Sequence, residues 1–352
     1  MNPVDTAVYM EDLGRRARAA SRLLARAASG RKNAALQATA TRLQAAAGAL
    51  IDANRLDLES ARAAGQDSAF VDRLALDRKA IDRMALGLEQ IVGLPDPVGE
   101  VSEVREQPSG IRVGRMRVPL GVVGMIYESR PNVTIDAAGL CIKSGNASIL
   151  RGGSEAIHSN IAIAKIFNAG ATAAGIPEHA IQILTTTDRA AVGEMLKLDK
   201  YIDVIVPRGG KSLIARIYEE SRIPVVAHLD GICHTYLHED ADPEMAKSIV
   251  LNAKLQRPGV CNAMETLLVH EAAAPMLLPE IARALREGGC ELRGCPRTRQ
   301  VIDCAPATEE DWRTEYLDKI LSIRVVGSFA EAVDHINEYG SHHSDAIVTE
   351  NY

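Results

Sequence analysis

From residue 118 to 228, apolar runs of β type alternate with amphipathic helical runs, and this alternation constrains the fold more than any other feature of the chain. VPLGVVGMIY, ASILRGG, AIQILTTT, YIDVIVPRGG and IPVVAH read as strands, separated by SEAIHSNIAIAKIFNAGATAAG, DRAAVGEMLKL and KSLIARIYEES as helices. Parallel strands need crossover connections, so strand–helix alternation predicts βαβ units built on a parallel sheet.

Two of these strands end in a Gly-Gly turn that opens a helix. In VIVPRGGKSLI the turn is Pro207, Arg208, Gly209, Gly210, Lys211 and Ser212. In ILRGGSEA it is Arg151, Gly152, Gly153 and Ser154. Glycine lets a backbone approach a phosphate, and the free N–H groups of a helix N-terminus favour an anion. Each turn alone fits a plain helix entry equally well. A P-loop is excluded, because GxxxxGKS/T would need glycine where Ile205 stands, and GxGxxG occurs nowhere. Two such turns on neighbouring parallel strands fit a dinucleotide better than either does alone.

Residues 5 to 95 read as successive helices. Leu13, Ala17, Ala20, Leu24 and Ala27 form one apolar stripe, with arginines on what reads as a solvated face. LPDPVGE breaks the helices, and EVREQPSGIRVGRMRV predicts a hairpin around Pro-Ser-Gly. A second α/β region starts at about 229, with ICHTYLHED, a helix near PEMAKSIVLNAKLQ, RPGVCNA and METLLVH; IVTE near the end reads as a strand. No flexible linker marks the boundary near 228.

With 352 residues, 47% hydrophobic, the chain has material for two cores. A formal charge of −6 leaves no basic excess for nucleic acid. No apolar run reaches membrane-spanning length, and the first residues lack the pattern of a secretory signal. Cys141, Cys233, Cys261, Cys290, Cys295 and Cys304 are scattered as in a reducing, cytoplasmic setting rather than a disulfide framework. Cys290, Cys295 and Cys304 lack zinc spacing, so no metal is expected.

Cys261 in RPGVCNA follows a predicted helix and sits on a Pro- and Gly-containing turn, where catalytic residues concentrate. A thiol attacks as thiolate, which Lys254 and Arg257 nearby could favour. Read locally, Cys261 fits a nucleophile or a structural thiol.

Longer blocks decide the matter by resemblance. VPLGVVGMIYESRPNVTIDAAGLCIKSGNASILRGGSEAIHSN, YIDVIVPRGGKSLI, NAKLQRPGVCNAMETLLVH and YGSHHSDAIVTEN resemble, in order and over nearly the whole chain, the γ-glutamyl phosphate reductases (glutamate-5-semialdehyde dehydrogenases) of the aldehyde dehydrogenase superfamily. The resemblance implies the aldehyde dehydrogenase-like α/β fold. Residues 1–228 would be N-terminal helices plus a Rossmann-like cofactor domain, with a hairpin arm near 101–118 for oligomerisation. Residues 229–352 would be a second α/β catalytic domain, truncated at its C-terminal end, with the active site between the two. It also implies NADPH-dependent reduction of γ-glutamyl phosphate to glutamate-5-semialdehyde and phosphate, in proline biosynthesis, through a thioester on Cys261. The implied enzyme is a homo-oligomer with a possible functional association with the glutamate kinase that supplies its substrate.

Residue by residue, Asn132 matches the superfamily's oxyanion asparagine, although an Asn at this place also suits a helix cap. Glu315 in TEYLDKIL matches the glutamate that holds the nicotinamide ribose. Arg151 to Ser154 stand where NAD-using relatives carry KxxE, and serine in place of that glutamate favours a 2′-phosphate, hence NADP. Lys143 could assist, or be a solvated lysine. His228 replaces the water-activating glutamate of aldehyde oxidisers, which suits reduction; an acid–base role and a core role are both open to it. Ser129, Arg130 and Arg257 flank the key blocks and are candidates for the substrate's phosphate and carboxylate, as are His342 and His343, which also fit local loop bonding. The alternatives are a related reductase for another acyl phosphate or aldehyde, and an inactive nucleotide-binding fragment.

Overall fold

A computed structural model of the chain describes residues 3–352 except 129 and 228, so Ser129 and His228 lie outside the described residues. The chain divides into two compact units, Met1–Ala227 and His228–Tyr352.

In the first unit, helices Pro3–Leu24, Ser29–Ala45, Ala47–Ala63, Ser68–Leu74 and Arg78–Gly93 occupy the predicted helical stretch. Asp67 and Asp77 cap two of them, accepting from Phe70 N–H and Ala80 N–H at 2.6 Å each; such caps contribute about 1 kcal/mol apiece. Leu24, Leu36, Leu43, Leu50 and Leu88 are fully buried, in a core shared with Ile135 and Phe167. The arginine face departs from expectation. Arg15 and Arg16 pair with Asp12 on the surface, but Arg18 reaches Asp203 at 2.8 Å. The same Asp203 oxygen accepts from Val122 N–H at 2.7 Å, so Arg18 fastens the first helix to the sheet.

Strands β1 (Val101–Glu106) and β2 (Arg112–Met116) form the predicted antiparallel hairpin, exposed along both strands. Then follow β3 (Val122–Tyr127), β4 (Ala147–Arg151), β5 (Ile181–Ile183) and β6 (Val204–Arg208), a parallel sheet in the order β5-β4-β3-β6. The chain winds outward from β3 to β5 and then returns to the far side of β3. The order therefore reverses between β3 and β6, where open α/β sheets collect ligands at their carboxyl ends. IPVVAH, predicted as a strand, makes among its described residues only a single bridge, Ile205 to Val225.

The second unit contains β7 (Cys233–Leu237), β8 (Met264–His270), β9 (Glu291–Gly294), β10 (Ala305–Pro306), β11 (Ile320–Val326) and β12 (Asp345–Val348), parallel in the order β10-β9-β11-β8-β7-β12. The expected IVTE strand thus starts at Asp345 and ends at Val348. Leu267, Leu278, Leu285, Leu321 and Ile323 are fully buried between this sheet and its helices.

Inside this unit lies an aromatic–histidine cluster. The His335 ring stands 5.4 Å from that of His234 and 5.3 Å from that of Trp312, both edge-on. Arg324 has only donors, so His335 Nδ1 accepts from it at 3.1 Å and the ring proton sits on buried Nε2. Burial, reinforced by the nearby His234 and Arg324, pushes the His335 pKa down from 6.5 to about 3. At pH 7 the folded chain leaves it neutral, and only about a quarter of unfolded chains protonate it. Below 6.5 the unfolded chain binds a proton that the folded one refuses. Stability contributed here therefore falls with pH between 6.5 and 3, by about 1.4 kcal/mol per pH unit at most. His335→Gln keeps an acceptor for Arg324 without titrating. The variant should flatten the fall in urea midpoint between pH 6 and 4, and an unchanged pH slope would contradict this assignment.

Candidate functional site

The two glycine turns sit at the carboxyl ends of β4 and β6, on either side of β3. After β4, Gly152 and Gly153 lead into the short turn Ser154–Ala156 and helix Ile157–Ala173. A Cβ at Gly152 would lie 2.1 Å from Asn160 Nδ2, so this glycine is required by packing. The Asn160 side chain belongs to a buried chain in which Tyr127 OH donates to Thr134 at 2.7 Å and Thr134 donates to Asn160 Oδ1 at 3.0 Å. Ser154 is exposed and Arg151 half-buried. Burial lowers the Arg151 pKa, while the carboxylates of Glu155 and Glu128 work against that lowering. Position 154 lacks a carboxylate, yet the fold brings two others into the field of Arg151.

After β6, Gly209 and Gly210 precede helix Lys211–Glu220, with Arg208, Lys211 and Ser212 exposed and Pro207 buried. Glu128, one residue beyond β3, places Oε2 3.0 Å from Gly210 N–H, and its own N–H donates to Arg208 O at 3.2 Å. A Cβ at Gly209 would meet the Glu128 carboxyl at 2.8 Å. Glu128 lies in the quoted ESRPNVT block but drew no role from sequence. Only the pairing of β3 with β6 reveals that its carboxylate reaches the turn expected to take an anion.

Asn132 is the first residue of helix Asn132–Lys143, which Pro131 precedes. It is exposed, and its Nδ2 donates to Asp136 at 3.1 Å, so it is not the helix cap. Arg130 is exposed. Lys143 is neither solvated nor at a glycine turn: its ammonium is buried and donates to Asn33 Oδ1 at 2.8 Å and Val92 O at 3.0 Å.

In the second unit the structure brings three expected residues together. Cys261 is half-buried on the turn between helix Pro243–Leu255 and β8, where Ala263 N–H donates to Val260 O at 3.0 Å. Its carbonyl packs against Gly231; a Cβ there would come within 2.0 Å of the oxygen. Glu315 Oε1 accepts from Gly231 N–H at 2.9 Å. Two residues on, Cys233 donates S–H to the Cys261 carbonyl at 3.3 Å and stands 3.8 Å from His343 Nδ1. Ser341 Oγ accepts from Ile232 N–H at 2.9 Å, tying the GSHHSD segment to the same loop. His342 is exposed and takes the left-handed backbone, φ 58°. Arg257 is exposed. Lys254, expected to favour a thiolate at Cys261, has its ammonium fully buried against Glu265.

The other thiols are poorly suited to attack. Burial pushes Cys141 up to about 12 and Cys233 and Cys290 up to about 11, and it also raises Cys304. Cys295 is buried against Thr298. Among the described residues no group of His, Cys, Asp and Glu is placed to hold a metal, and no helix is long and apolar enough to cross a membrane.

The sequence pattern of the Aldehyde dehydrogenase family matches residues 3–290. Among solved structures, gamma-glutamyl phosphate reductase from Thermotoga maritima is 44% identical, with a TM-score of 0.93 over 97% of this chain and 83% of that one. The gamma-glutamyl phosphate reductase of Saccharomyces cerevisiae is 33% identical, with a TM-score of 0.59, over 97% of this chain and 87% of that one. NADP-dependent glyceraldehyde-3-phosphate dehydrogenase from Bacillus halodurans, complexed with NADP, is 19% identical over 98% of this chain and 79% of that one, with a TM-score of 0.65. That last likeness is one of fold alone.

Limiting iodoacetamide on the native protein at neutral pH should label Cys261 before any other cysteine. Peptide mass mapping reads the order, and Cys304 modified first would contradict the assignment.

Proposed function

This chain belongs to the aldehyde dehydrogenase family, and from that premise we propose that it reduces γ-glutamyl phosphate to glutamate-5-semialdehyde and phosphate with NADPH, a step of proline biosynthesis. The carrying observation is the meeting of Cys261, Gly231 and Glu315 in one unit. The identities of 44% and 33% to two gamma-glutamyl phosphate reductases support the choice of substrate.

The glycine turns fit a dinucleotide. Gly210 N–H donates to a Glu128 carboxylate oxygen, so a phosphate at this turn would have to displace that carboxylate. Arg151 to Ser154 and Pro207 to Ser212 would hold the cofactor, with Glu315 on the ribose. When bound, the reduced nicotinamide supplies hydride to the acyl carbon. Cys261, as thiolate, attacks that carbon and expels phosphate, forming a thioester. After reduction the hemithioacetal collapses, and the sulfur leaves as the aldehyde is released. The Cys261 backbone N–H and the Asn132 amide are the proposed donors to the oxyanion, each worth roughly a hundredfold in rate. Ser129, Arg130, Arg257, His342 and His343 are the proposed contacts for the substrate's charged groups, and His228 a proposed acid or base.

Serine at position 154 and the half-buried Arg151 support NADPH over NADH. The exposed β1–β2 hairpin supports a homo-oligomer, and the free thiols support a cytoplasmic setting. A functional association with the glutamate kinase that makes the substrate is part of the same proposal.

Run in reverse with glutamate semialdehyde, phosphate and NADP, the protein should form NADPH, and Cys261→Ala should abolish this. Turnover independent of phosphate would identify a different aldehyde dehydrogenase activity; cofactor binding without turnover in either protein would contradict the reading. Ser154→Glu should lower the NADPH-to-NADH preference by about tenfold, measured as the ratio of kcat/KM values.

A further inference from the structure

The Cys261 turn is framed by two charges that no water reaches. Lys254 lies in the last turn of helix Pro243–Leu255, and Glu265 is the second residue of β8. Both side chains are 0% exposed, with Lys254 Nζ 2.5 Å from Glu265 Oε2. The other oxygen, Oε1, accepts from Leu317 N–H at 3.2 Å. Leu317 holds a left-handed backbone, φ 54°, and the hydroxyl of the preceding Tyr316 donates to Asp311 Oδ1 at 2.8 Å and accepts from Ser322 Oγ at 2.8 Å. Two residues before Leu317 stands Glu315, whose carboxylate takes Gly231 N–H, and Gly231 packs on the Cys261 carbonyl. The contacts close a ring, from the Cys261 turn through Glu265, Leu317, Glu315 and Gly231 back to Cys261.

For stability alone such a pair is a poor choice. Desolvating two charges offsets most of their attraction, and well-packed apolar residues of similar volume commonly do as well or better. An apolar pair cannot accept the Leu317 N–H. We propose that Glu265 is a positioning residue, its Oε1 setting the height of the Glu315–Leu317 segment against the nucleophile turn while Lys254, paired with Oε2, keeps the carboxyl group in place. The proposal rests on the reading that Cys261 attacks and Glu315 holds the cofactor ribose.

Two double variants separate positioning from structure. Lys254→Met/Glu265→Gln removes both charges but keeps an amide oxygen for Leu317 N–H; Lys254→Met/Glu265→Leu removes the acceptor as well. Both should fold with a urea midpoint near that of the wild type. The Gln variant should keep kcat within about threefold. The Leu variant should lose about tenfold or more in kcat and raise the KM for NADP, with the KM for glutamate semialdehyde unchanged. Cys261 alkylation by iodoacetamide should show the same ranking, independent of which substrate the enzyme takes. Wild-type kcat and labelling in the Leu variant would overturn the proposal, as would equal loss in both folded variants. Should the Leu variant not fold, Lys254→Met/Glu265→Met takes its place under the same criteria. A wild type without turnover would sink the functional reading, leaving the alkylation ranking to decide this one.

Discussion

Two loops of the second unit approach each other more closely than a methyl group permits. The backbone at Gly231 lies so near the Cys261 carbonyl that any side chain there would overlap it. The Gly231 amide is meanwhile committed to Glu315, and the Cys233 thiol to the same carbonyl. The turn that carries the proposed nucleophile is thus held from both sides by groups with little freedom to move. A strand entry, a sulfur-bearing turn and a glutamate from a third segment depend on this one close approach.

The two sheets present their candidate groups at opposite strand ends. In the first unit the glycine turns follow β4 and β6, at carboxyl ends, as parallel α/β sheets ordinarily arrange ligands. In the second, Gly231, Cys261, Glu315 and Ser341 all come before their strands, at the amino ends of β7, β8, β11 and β12. Segments far apart in sequence converge there because their strands are neighbours in the sheet or one strand removed. The same placement explains why Lys254 is buried against Glu265 rather than offered to the thiol: the helix before the turn runs back along β8.

What could be read from sequence follows the same division. Strand–helix alternation is a local signal, and it located the parallel sheet, the hairpin and the N-terminal helices to within a few residues. It failed at IPVVAH, where Pro224 lacks the N–H a strand needs and only one bridge forms. Cys261 and Glu315 were legible chiefly through resemblance, since a lone thiol and a single carboxylate carry little local information. Gly231, Ser341 and Glu265 were not legible, because their roles exist only once non-adjacent strands pair. Glu128 shows the limit most clearly: it sits within a quoted motif, yet its carboxylate meets Gly210 only through the β3–β6 register. Lys143 and Arg18 were misjudged for a related reason. A long basic side chain on a helix reads as solvated until an acceptor from another element is found for it.

The proposed covalent bond between the substrate and the Cys261 sulfur can be weighed directly. Protein mixed with γ-glutamyl phosphate in the absence of any dinucleotide should gain the mass of one glutamyl group, located on the peptide containing Cys261 and removed by hydroxylamine. Unmodified Cys261 under those conditions, in protein that still releases phosphate from the substrate, would contradict it.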